Sequence, residues 1–176
     1  MAYKVKETDT HIYFLTGPFS QWHPNKFRGN FKPHGNHYDF NCAEQFMMAA
    51  KADLFGDFGT FQDIMEAKTP RDQKQLGRLV KNFDPDVWNT NALDIVTRGN
   101  WFRSLQCDDY RSALITSGDK QLIEGNKNDP IWAVGLSWDD PAILNSANWQ
   151  GTNWLGVAHM RVRDLIKDPT KLLFFI

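Results

Sequence analysis

Cysteine is scarce: Cys42 and Cys107 are the two in 176 residues. Two cannot build a disulfide framework, and neither sits at a metal-ligand spacing, so stability has to come from a core. A basic excess is missing as well. Twenty Lys and Arg face 21 Asp and Glu, for a net charge of −1. A protein that grips a phosphate backbone by bulk electrostatics carries a cationic surplus, so strong non-specific binding of DNA or RNA is disfavoured. Local binding of one phosphorylated small molecule is still allowed. No apolar run approaches the roughly 18 residues that read as a membrane span. The start, Met-Ala-Tyr-Lys-Val-Lys-Glu, has no apolar signal core. The expectation is a reducing, cytoplasmic compartment and no membrane partner. Also lacking are a Walker or dinucleotide fingerprint and a readable Ser/His/Asp spacing.

Aromatic residues are what the chain has in plenty, at 14% with seven Trp and thirteen Phe. Rings fill cores, and they also make flat walls for ligands such as bases. The length suits one domain, expected to span residues 1–176. At this size roughly 70% of the unfolded chain's surface is buried on folding.

Residues 1–40 are rich in turns, with short strands expected at 13–15 and 37–40. From 41 onward helical patterns dominate. Asn41 is a plausible N-cap for a helix from Cys42 to about Phe55. A second helix is expected over Phe58–Lys68. Thr69-Pro70-Arg71-Asp72 reads as an N-cap, a Pro at N1 and an acidic residue at N3, opening a helix to about Lys81. Asp84-Pro85 opens another to about Leu105, with Trp88, Ala92, Ile95, Gly99 and Phe102 along one stripe. A further helix is expected over Tyr110–Thr116, strands at 122–124 and 131–136, a loop over 137–152 and a last helix over Asn153–Ile166. The fold class is α+β: one mostly helical domain with a few short strands.

Glu44 and Lys51 lie seven residues apart on the first helix. Seven residues at 3.6 per turn return to nearly the same azimuth, and Met47 and Met48 lie between them on that side. A carboxylate and an amine thus share an apolar stripe. A solvated face or an ion pair to a neighbour explains this as it stands. If the stripe faces a pocket, desolvation raises the Glu pKa and lowers the Lys pKa, tuning an acid/base and a nucleophile. A second cluster places Glu124, Asp129 and Trp132 around a turn, which Asx-turn chemistry plus one core Trp also explains. In the third, Gly151-Thr152-Asn153-Trp154-Leu155-Gly156 runs into a helix, whose N-terminus suits anions. His34 and His37 have i,i+3 spacing but no third ligand, so no metal is expected.

These clusters stand in an order that resembles the NADAR family, also called YbiA-like. The pieces are Phe19-Ser20-Gln21-Trp22, Asn41 through Ala52, Leu76-Gly77-Arg78, Trp88, Leu122-Ile123-Glu124, Asn128 through Trp132, and Gly151 through Gly156. The resemblance covers roughly Phe14 to Leu165. It departs at Gln21, where the family has Asn after Ser, and in 137–150, which is longer than in compact bacterial members. The resemblance implies hydrolysis of an N-glycosidic bond to a ribose with no cofactor. The implied partners are a small phosphorylated nucleoside-like substrate, such as a ribosylamino-pyrimidine intermediate of riboflavin synthesis, or nucleic acid carrying ADP-ribose on guanine.

By the same resemblance Glu44, Lys51 and Asp129 are the catalytic candidates. Ser20, Trp22, Trp88, Trp132 and Gly156 are candidates for substrate contact. Arg78 and Asn153 join them for phosphate or ribose. Bond cleavage develops positive charge on the ribose, which a carboxylate stabilises. Glu44 or Asp129 does this, and the other moves a proton. Lys51 either forms a Schiff-base-type adduct with the opened ribose, or binds phosphate or orients Glu44. The competing reading is a module that binds NAD or an ADP-ribose derivative without cutting it.

Overall fold

The computed structural model of the protein describes residues 2–174. Among these, six α-helices and five short strands alternate with irregular segments. Strands β1 (Val5–Glu7), β2 (His11–Phe14) and β5 (Gln121–Glu124) form one sheet in the order β1-β2-β5. β1 runs antiparallel to β2, and β5 runs parallel to it with Phe14 opposite Glu124. A parallel pair needs a long crossover, and the crossover here carries α1–α5. β3 (Phe27–Gly29) and β4 (Tyr38–Phe40) pair separately. None of the helices is long and apolar enough to cross a membrane among the described residues.

Helix α1 (Ala43–Leu54) is the hub. It packs on α2 (Phe58–Glu66), α3 (Pro70–Gly77) and α4 (Pro85–Gln106), and every residue from Ala43 to Ala50 is buried. A helix enclosed on all sides is a core helix, not a surface one. Close approach is bought with glycine: a Cβ on Gly99 would collide with the Phe46 ring, and one on Gly77 with the Met48 sulfur. α6 (Trp154–Lys167) lies across α4 and β5, and α5 (Asp108–Thr116) closes the remaining side.

The caps at Thr69 and Asp84 form as the sequence indicates. Thr69 Oγ1 accepts from Asp72 N–H, and Asp84 Oδ1 accepts from the N–H groups of Asp86 and Val87. Elsewhere tertiary contacts override local pattern. Cys42, not Asn41, occupies the N-cap of α1, because the Asn41 amide is taken by Gln73 and the Ala67 carbonyl. α3 stops at Gly77, not near Lys81. The apolar segment 131–136 is no strand. It is apolar because Ala133 and Val134 are fully buried, and its backbone bonds to Glu124, Gln150, Asn153, Trp154 and Leu155 in irregular geometry. The loop 137–152 contains two short 3₁₀ helices, Pro141–Leu144 and Ser146–Asn148.

Candidate active site

A cleft of about 620 Å³ opens between α1, α3, the start of α4, the 15–22 loop and the C-terminal end of β5. That volume suits a small-molecule site. The stripe of α1 faces it: Glu44, Met47, Met48 and Lys51 all line the cleft. Ser20, Trp22, Arg78, Trp88, Asp129 and Trp132 line it too. 

Ser20 also shapes the loop: its Oγ accepts from Trp22 N–H at 3.2 Å.

Each wall has its own support. The loop with Ser20, Gln21 and Trp22 is held from below by two buried polar side chains. Arg103, fully buried, donates to Asn25 Oδ1 and to the carbonyls of Pro18 and Ser20. His159 Nε2 donates to the Phe19 carbonyl, so its Nδ1 accepts from the Tyr110 hydroxyl. Burial pushes His159 down to about 3, with Arg103 adding to the effect. Glu44 N–H donates to the Gln21 carbonyl, tying the loop to α1. The Gln21 side chain accepts from Asn100, so the departure from the family's Asn is absorbed by a buried amide pair.

Glu44 is buried, and Trp22 Nε1–H donates to its Oε2 at 3.2 Å. Burial pushes its carboxyl up to about 7; Lys74, Trp22 and Arg78 oppose that push, while Asp129 adds to it. Asp129 Oδ1 accepts from the N–H groups of Ile131 and Trp132, and its Oδ2 lies 3.9 Å from Lys74 Nζ. The Asx turn and the cleft position therefore coexist in one residue. Lys51 Nζ donates to the Gly77 carbonyl at 2.9 Å and lies 4.0 Å from the Phe83 ring centroid. Burial lowers its pKa, which raises the share of neutral amine.

Two expected substrate contacts are placed elsewhere. Asn153 is buried outside the cleft lining, with Oδ1 accepting from Glu124 N–H and Nδ2 donating to the Leu122 carbonyl. Gly156 is also outside the lining, where any Cβ would collide with that same carbonyl. Both fasten α6 to β5. In exchange the cleft holds Lys74 and Glu124. Lys74 carries no mark in the sequence beyond standing four residues before Arg78, which caps the C-terminal end of α3. Glu124 stands in the second cluster, but nothing in its spacing aims it at α1.

The model of the NADAR domain matches residues 9–167. A protein of Acanthamoeba polyphaga mimivirus, named an N-glycosidase, is 37% identical over 169 residues, which are 90% of this chain and 97% of that one. A Nostoc punctiforme protein, also named an N-glycosidase, is 28% identical over 164 residues, covering 92% and 96%. Protein irg-1 of Caenorhabditis elegans is 32% identical over 127 residues, 71% of this chain and 60% of that one. Among solved structures, Escherichia coli YbiA superposes with a TM-score of 0.69 at 19% identity, covering 95% and 90% of the two chains. At that identity the likeness speaks for the fold.

Proposed function

The chain belongs to the NADAR family, and from the contents of its cleft we propose that it is an N-glycosidase, a hydrolase that cuts the bond between a base and a ribose. The observation that carries this reading is the desolvated Glu44, facing Asp129 across a cleft walled by Trp22, Trp88 and Trp132. Cleavage leaves positive charge on the ribose ring, and a carboxylate in a dry, fixed setting stabilises that charge far better than water does. The Trp rings offer flat faces for the base. Lys74 on α3 and Arg78 at its C-terminal cap both line the cleft and suit a phosphate on the ribose. Two relatives named N-glycosidases cover nearly the whole chain, which supports the same activity.

The substrate is a ribosyl compound bearing phosphate: a ribosylamino-pyrimidine intermediate of riboflavin synthesis, or ADP-ribose on a guanine base. The near-neutral net charge favours gripping one nucleotide over a long duplex. Lys51, with its lowered pKa, suits attack on the ribose carbon. Its bond to the Gly77 carbonyl equally suits a binding role, and borohydride trapping of a Lys51 adduct during turnover separates the two.

The test is one panel: ADP-ribosylated guanine DNA, the riboflavin-pathway intermediates and NAD, each incubated with the protein while released base is detected. Base release that disappears in Glu44→Gln, with the fold intact, is the expected result. Intact ligand after long incubation, together with a raised thermal midpoint, would make the protein a binding module instead.

A further inference from the structure

Glu124 ends β5 inside the cleft, and four backbone contacts fix it there. Its N–H donates to Asn153 Oδ1, and its carbonyl accepts from Val134 N–H. The adjoining Gly125 N–H donates to the Phe14 carbonyl, while Asn153 also holds the Leu122 carbonyl two residues back. The carboxyl is treated differently from its neighbours. Glu44 receives Trp22 Nε1–H, and Asp129 receives two backbone N–H groups. Among the described residues no donor reaches the Glu124 carboxyl, and it is partly open to the cleft. A carboxyl on a rigid strand end with no donor of its own is free to give a proton to a ligand.

Resting on the glycosidase reading, we propose that Glu124 is the general acid of this site. The C1′–N bond breaks and its electron pair goes to the base nitrogen, which takes the proton from the Glu124 carboxyl. Glu44, as carboxylate, stabilises the ribosyl cation. Water then adds its oxygen to C1′, and its surplus proton returns to Glu124. Asp129 is the less suited proton carrier, because Oδ1 is already occupied by two donors and Oδ2 faces Lys74. The electrostatics agree with this assignment. Burial pushes Glu124 up to about 8, Asp129 and Glu44 push the same way, and Lys74 opposes them. The charged groups around it thus come from α1 (Glu44), α3 (Lys74) and the 126–132 turn (Asp129), with Lys51 and Arg78 farther along the same lining.

The experiment compares wild type and Glu124→Gln on whichever panel substrate the wild type cuts fastest. The expected result is a kcat lower by about 100-fold or more, a KM within about 3-fold, a thermal midpoint no lower than that of wild type and loss of the alkaline limb of the pH profile. A kcat within about 3-fold of wild type, or an alkaline limb that persists, overturns the assignment while leaving the glycosidase reading intact. No base release by wild type overturns that reading instead. If Glu124→Gln does not fold, carbon-13 NMR of the wild-type glutamate carboxyls decides, with Glu124→Asp identifying the signal. A Glu124 signal already ionised at pH 6.5 sinks the proposal, and one still protonated at pH 7 supports it.

Discussion

Trp22 Nε1 stands 3.2 Å from Glu44 Oε2, so an exposed ring on a loop reaches a buried carboxyl on the central helix. The donor favours the charged form of Glu44 and works against the burial that favours the neutral one. Trp22→Phe keeps the ring and removes the donor. The acid limb of activity, set by Glu44 near pH 7, is expected to move upward by as much as about one pH unit, equivalent to roughly 1.4 kcal/mol. The kcat/KM profile measures it, and an unmoved limb would show that the bond does not tune Glu44.

Glu44 also makes stability depend on pH. Its folded value of about 7 lies above the ordinary 4.5, so the folded protein holds a proton that the unfolded chain releases. That contribution is complete below pH 4.5 and is lost as pH rises through 7. Glu124 acts in the same direction up to about 8. His159 acts oppositely, losing its contribution as pH falls from 6.5 to about 3. Glu44→Gln is therefore expected to be more stable than wild type at pH 8, by up to on the order of 3 kcal/mol, with the gap closing by pH 4. Urea unfolding at the two pH values checks this.

Arg103 holds up the site loop from within the core. Arg103→Met keeps much of the volume but leaves the Pro18 carbonyl, Asn25 Oδ1 and Asn100 Oδ1 without their donor. A loss of about 3–5 kcal/mol is expected, because several buried acceptors lose their donor at roughly 1–3 kcal/mol each. Activity should fall further than the folded fraction does, because the loop carrying Trp22 loses its support. Denaturant midpoints and specific activity, measured together, read both effects.

Asn153 has a left-handed backbone, φ 52°, and an amide that bridges Leu122 and Glu124. Asn153→Ala leaves two buried backbone groups unpaired, at roughly 1–3 kcal/mol each. A thermal midpoint lower by about 5–15 °C is expected for a chain of this size. A variant with wild-type stability and only a raised KM would restore the substrate-contact role that the sequence suggests.

The helix pattern set by local chemistry was legible. Thr69 and Asp84 cap their helices because the bonds involved reach only two or three residues ahead. The stripe of Glu44, Met47, Met48 and Lys51 follows from 3.6 residues per turn, which no distant contact can alter. Which way that stripe faces was not legible, since a solvated face and a cleft wall have the same spacing. The apolar segment 131–136 read as a strand because burial and β-pairing leave the same composition, and it is burial that acts here.

The sequence by itself determined where the helices lie, the caps at Thr69 and Asp84 and the alignment of Glu44 with Lys51, all consequences of short-range geometry. Tertiary structure decided the site. The parallel pairing of β2 with β5 brings Glu124 to a cleft floored by α1, and the packing of α3 on α1 brings Lys74 toward Asp129. Packing also turned Asn153 from a ligand candidate into a brace for β5. These groups lie tens of residues apart, and neither their meeting nor the loss of water that raises Glu44 and Glu124 has any counterpart in local spacing.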